Sequence, residues 1–318
     1  MKPLRLRPPS EPRLSGSGLS RNLLLIAALI LSLTACSVRK MALRSIGGAL
    51  SNAADEYARD EDPDLVKGAL PFSLKVMETI LREDPRDAGL LLNVNKGFTQ
   101  YAFGFLLPEA EDLDDKDKAA AKLIRDRAVR MFIRARGYGL RLLQLKRPTF
   151  GADLIADPKK AVAALTKADV PAAFWTGAAW ASALATSRDF RMLPQIPQFE
   201  ALLERVLELD EGYDAGSVHT LFITYEMVRL KPAGDRVTPA RKHFDRAVAL
   251  TQGKQAGPYV TYAESVLTVQ KNRPEFEKML QLAMKIDPAD DPENRLANGI
   301  MQRRAKWLLG RADKLFPK

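Results

Sequence analysis

Apolar residues recur along most of the chain at the three- and four-residue steps of an α-helix, with no sustained strand-like alternation. Asp62-Pro63 reads as an N-cap followed by a first-turn proline. Pro71-Phe72 reads as a bend, after which Leu74, Met77 and Leu81 share one helix face until Asp84-Pro85 stops it. Three later segments, Phe199–Asp210, His243–Thr251 and Phe276–Pro288, each reach an apolar residue, then Asp or Thr, then a small-residue turn. Their endings at Asp210, Thr251 and Asp287 lie 41 and 36 residues apart, against about 34 for a tetratricopeptide repeat. The pattern predicts an all-α protein, an irregular tetratricopeptide-like helical-hairpin solenoid.

Two helices stand out within it. From Ala121 to Leu143, Ile124, Ala128, Met131, Ala135, Tyr138 and Leu142 form one stripe. Arg127, Arg130, Arg134 and Arg141 flank it, either lining an anion site or covering the core and pairing with the acidic run Glu109–Asp117. The second reading is preferred. In Phe174–Ala183, Gly and Ala admit a close neighbour, while Trp175 and Trp180 are five apart and face different directions. Tyr101, Tyr138, Trp175 and Trp180 are expected beside an internal cavity.

The N-terminus reads as an address. Five basic residues precede or flank the 11-residue apolar run Leu23–Leu33, too short for a membrane-spanning helix but suited to a signal peptide. It ends in Leu33-Thr34-Ala35-Cys36, which resembles a bacterial lipobox. Residues 1–35 are therefore expected to be a lipoprotein signal peptide and 36–318 a single helical domain. Cys36 would carry the lipid, and Ser37 after it fits sorting to the periplasmic face of the outer membrane. Cys36 is the only cysteine, so no internal disulfide can form. The full chain carries +10; residues 1–35 hold five basic residues and one acidic, leaving 44 basic against 38 acidic, or +6. That balance does not point to nucleic acid.

Candidate chemistry is sparse. His219 and His243 are the only histidines, neither in a His-Glu-x-x-His pattern, and they read as hydrogen-bonding residues rather than zinc ligands. Asp60–Asp64 alternates like a calcium loop, but Leu65 and Pro71 stand where Gly and Glu are needed, so it reads as a capped turn. No nucleophile elbow, phosphate loop or dinucleotide fingerprint follows residue 36. No metal, cofactor or enzymatic activity is expected.

Several stretches, in order, resemble the TRAP-transporter T component (TatT) family. They include Asp55-Glu56-Tyr57-Ala58, Asp62-Pro63-Asp64-Leu65-Val66, Arg134-Ala135-Arg136-Gly137-Tyr138, Phe174-Trp175-Thr176-Gly177 and Gln302-Arg303-Arg304-Ala305-Lys306-Trp307. The resemblance spans about residues 40–316 and departs at Gly216–Thr220, where no acidic residue follows His219. It implies a tetratricopeptide-like periplasmic lipoprotein, often a homotrimer. Such a protein works beside the solute-binding protein of a tripartite ATP-independent periplasmic (TRAP) transporter and holds a small, apolar ligand. Tyr101, Arg134, Tyr138, Arg141, Trp175, Trp180 and His219 are the candidate ligand-binding residues. The alternative is an outer-membrane scaffold lipoprotein for envelope protein assembly.

Overall fold

The computed structural model describes Gly48 and residues 56–187, 189–230 and 234–317. Cys36 and the expected signal peptide lie outside the described residues. Those residues form fourteen α-helices with short 3₁₀ and π turns, and no strand occurs among them. The all-α expectation holds.

Local chemistry sets most helix ends. Helix α1, Pro63–Glu83, starts where Asp62 accepts from the amides of Asp64 (2.9 Å) and Leu65 (3.2 Å). It stops at Asp84, before Pro85. Pro71 does not bend the chain into two helices, contrary to the sequence reading: α1 runs through it. Pro71 removes only the bond to the Lys67 carbonyl, on a half-exposed side where solvent can take that carbonyl, while Val66, Leu70, Leu74 and Met77 stay buried. Helix α2, Ala88–Tyr101, is capped by Asp87 and passes through a π-turn, Ala102–Leu106, into α3, Leu107–Leu113.

Helix α4, Lys118–Gln144, packs against both α2 and α7, Val170–Ser187. Its buried stripe is Ala121, Ala128, Phe132, Ala135, Gly139 and Leu143. The stripe read from sequence shares only Ala128 and Ala135 with it; Ile124, Met131, Tyr138 and Leu142 are half-buried. Small residues explain the rotation. A Cβ at Gly139 would overlap Thr176 Oγ1 and the Asn95 amide, so three helices meet there at backbone distance. With its amide nitrogen turned inward, buried Asn95 donates to Ala135 O (3.1 Å) and Trp175 O (3.3 Å), tying α2, α4 and α7 together.

Short helices α5 (Phe150–Ala156) and α6 (Pro158–Ala163) lead to α7. Then follow α8 (Ile196–Asp210), α9 (Tyr213–Val228), α10 (Val237–Leu250), α11 (Ala256–Tyr262) and α12 (Arg273–Lys285). The last are α13 (Arg295–Leu309) and α14 (Ala312–Leu315). Helices α1, α2, α7, α9, α11 and α13 pack in that order, and α13 returns to α1, closing a ring. Helices α4, α8, α10 and α12 lie outside, each bridging two successive ring helices. Each outer helix buries the apolar stripe that its inner neighbours cannot bury alone.

Candidate functional site

The ring surrounds a cavity of about 1380 Å³ that is partly open to solvent. One side is apolar: Leu70, Leu74 and Met77 of α1 and Phe174 and Trp175 of α7 all line it. The π-turn after α2 adds Phe103, which is exposed to the cavity, while Phe98, Tyr101 and Phe105 beside it are buried. The opposite wall is rich in hydroxyls. Ser217, Thr220 and Thr224 step along one face of α9 toward Thr261 and Ser265, and Thr224 Oγ1 lies 2.7 Å from Ser265 Oγ. Ser265 sits in a second π-turn, Ala263–Leu267, that follows α11.

Polar contacts close the ring at a seam where its first and last helices, α1 and α13, meet. Arg303 of α13 reaches Asp64 of α1 at 3.0 Å, and Arg59 reaches Glu293 at 2.7 Å. Arg304 bonds both Glu111 of α3 and Glu264 of the second π-turn. Trp307 Nε1 donates to Asp112 at 2.5 Å, and Lys67 Nζ reaches Glu109 at 2.8 Å. Burial pushes the Glu111 carboxyl above its ordinary value despite the pull of Arg304. Burial also works against the Arg304 charge, but Glu264 and Glu111 outweigh it and raise its pKa. Three of the six acidic residues of the run Glu109–Asp117 therefore serve the C-terminal helices: Glu111, Asp112 and Asp115, the last 2.6 Å from Lys314. Of the arginines of α4, Arg125 pairs with Asp114 of that run. Arg134 instead pairs with buried Glu78 of α1, Arg141 donates to Pro85 O (3.1 Å), and Arg127 lies over the Tyr101 ring. The preferred reading of the arginine flank is corrected on this point.

Of the seven candidate residues, Trp175 lines the cavity; Tyr101, Arg134, Tyr138, Arg141, Trp180 and His219 do not. Trp175 Nε1 donates to Tyr213 Oη at 3.1 Å. Trp180 turns the other way, donating to Gln195 Oε1 at 2.8 Å beneath the Arg136 guanidinium, so the two tryptophans do diverge. Tyr138 Oη donates to Glu78 Oε1 at 2.7 Å. His219 is buried between α9 and α10: its Nδ1 lies 2.9 Å from His243 Nδ1, and its Nε2 lies 3.1 Å from Glu211 Oε2. Burial lowers the His219 pKa against the opposing pull of Glu211. Arg246 and His219 hold the Glu211 carboxyl down at about 2. No group of three or more His, Cys, Asp or Glu side chains with metal-site geometry occurs among the described residues. Asp60 accepts from the Asp62 amide at 2.7 Å, as the capped-turn reading expects.

The family profile described as TRAP transporter T-component matches residues 59–316, nearly the whole described ring. The chain belongs to the TRAP transporter T-component family. It is also similar to an uncharacterized protein of Treponema pallidum (strain Nichols), 25% identical over 300 residues, covering 88% of this chain and 93% of that protein. Membership makes the protein an accessory component of a TRAP transport system. The seam residues Glu111, Glu264, Arg304 and Trp307 were missed in the sequence. The acidic run that holds Glu111 and the basic pair Arg303-Arg304 were both visible, but nothing in the sequence pairs them, since they lie far apart along the chain.

Proposed function

We propose that this T-component is a lipid-anchored periplasmic accessory that docks the solute-binding protein of its TRAP transporter and holds a small apolar ligand in its central cavity. The hairpin array is read as an irregular tetratricopeptide-like solenoid curled until its ends meet. The observation that carries the proposal is the cavity itself, walled by aliphatic and aromatic side chains on one side and hydroxyls on the other. A scaffold that only contacts other proteins needs a shallow surface, whereas a ligand carrier needs a deep, mostly apolar volume with a few placed polar groups. Lipid at Cys36 would hold the protein on the periplasmic face of the outer membrane and raise its effective concentration beside anchored partners. Affinity purification after mild cross-linking in cells tests the docking: a solute-binding protein should be recovered. Recovery of outer-membrane assembly proteins in its place would favour the scaffold reading.

A further inference from the structure

Seven carboxylates and four basic side chains line the cavity, and their pairing is uneven. Six of the carboxylates lie at or beside the seam, each with a partner: Asp64 with Arg303, Glu109 with Lys67, Glu111 and Glu264 with Arg304, Asp112 with Trp307, and Glu293 with Arg59. The seventh, Asp214, accepts from Ser217 Oγ at 2.9 Å. Three of the four cations are thereby committed. The fourth, Lys96, has no carboxylate partner among the described residues. Its Nζ sits 5.7 Å from the centre of the Trp175 ring, on the inner face of α2, with Asn93 one turn before it and also on the cavity wall.

Resting on the reading of the cavity as a ligand chamber, we propose that Lys96 is the anchor for a carboxylate, and that the ligand is an amphipathic monocarboxylate with an apolar body. An ammonium group has three donors and no acceptor, and the ring face of Trp175 satisfies its charge without using them. A carboxylate reaching Lys96 makes charge-assisted hydrogen bonds, which are about twice as strong as those to a neutral head group. The Asn93 amide can donate to the second carboxylate oxygen. The body of the molecule then lies along Leu70, Leu74 and Phe103. The acidic seam meanwhile offers no free cation, so the ligand has one orientation, with its acid end at α2.

The experiment uses decanoate and decanol, which share a chain and differ in the head group, titrated into the protein and read by tryptophan fluorescence and calorimetry. The wild type should bind decanoate about ten-fold more tightly than decanol, the worth of one charge-assisted hydrogen bond. Lys96→Gln should bring the two within about two-fold, leaving decanol affinity and thermal stability unchanged, and Lys96→Arg should restore part of the preference. Equal affinity of the wild type for both probes, or an undiminished preference in Lys96→Gln, overturns the Lys96 assignment and leaves the chamber reading standing. Failure of both probes to bind the wild type overturns the chamber reading and the assignment with it.

Discussion

Arg304 and Glu111, 193 residues apart, form an ion pair that joins the last long helix to the third. Glu264 completes a carboxylate–guanidinium–carboxylate bridge, and the Arg304 guanidinium stacks 4.3 Å from the Trp307 ring centre. The seam between the first and last ring helices is thus held by polar groups, where the joints between neighbouring helices elsewhere in the ring are held largely by apolar packing.

Arg304→Met should therefore destabilise the fold by about 2–3 kcal/mol, because it leaves two part-buried carboxylates facing each other. That is below the cost at a fully buried pair, since Glu111 and Glu264 keep about a third of their side-chain exposure. Adding Glu111→Gln and Glu264→Gln should recover most of the loss. Urea unfolding measures both steps, and hydrogen exchange should show α13 opening first in the single variant.

Gly139→Ala should cost about 2–3 kcal/mol. The added methyl meets Thr176 and Asn95 at the crossing of three buried helices, and neither side chain is a flexible tip that can swing away. A chemical-denaturation midpoint equal to the wild type would contradict the close approach of α4 to α7.

His219 sets an acid limb. With its pKa lowered in the fold from 6.5, His219 binds protons less readily in the native than in the unfolded state. Stability is then fully present above about 6.5 and declines as pH falls below it. Protonating both rings would also remove the acceptor that the Nδ1–Nδ1 bond needs. Glu211, lowered from 4.5 to about 2, adds a second decline as pH falls through that range. Urea unfolding from pH 7 to 3 should show both limbs in the wild type and only the lower one in His219→Gln.

Cys36→Ala should abolish incorporation of radiolabelled palmitate that the wild type shows. Equal labelling of both proteins would remove the lipid anchor from the account.

Where a residue acts on its immediate neighbours, its role was legible in the sequence. Asp62 caps a helix and Asp84-Pro85 ends one, as read, because capping is decided within a few residues. The α4 stripe was displaced since periodicity weighs Ile124 and Met131 by their hydrophobicity, whereas close packing selected Gly139 and Ala135 by their small size. Pro71 misled because its cost depends on whether solvent reaches the Lys67 carbonyl, a tertiary fact. The seam was invisible: Glu111 and Arg304 each have plausible partners nearby in sequence, and only ring closure brings them together. The two π-turns that present Phe103, Glu264 and Ser265 to the cavity carry no sequence signal that distinguishes them from ordinary helix.

The central claim is that the cavity holds an apolar ligand, and native mass spectrometry of the protein gently purified from the cells that make it tests this most directly. Ala181 lines the cavity on α7, so Ala181→Trp should fill part of the chamber without breaking the ring. The account predicts a small-molecule adduct on the wild type that is absent from Ala181→Trp at matched stability. A wild-type protein found only at its bare mass, or an adduct carried equally by both proteins, would contradict it.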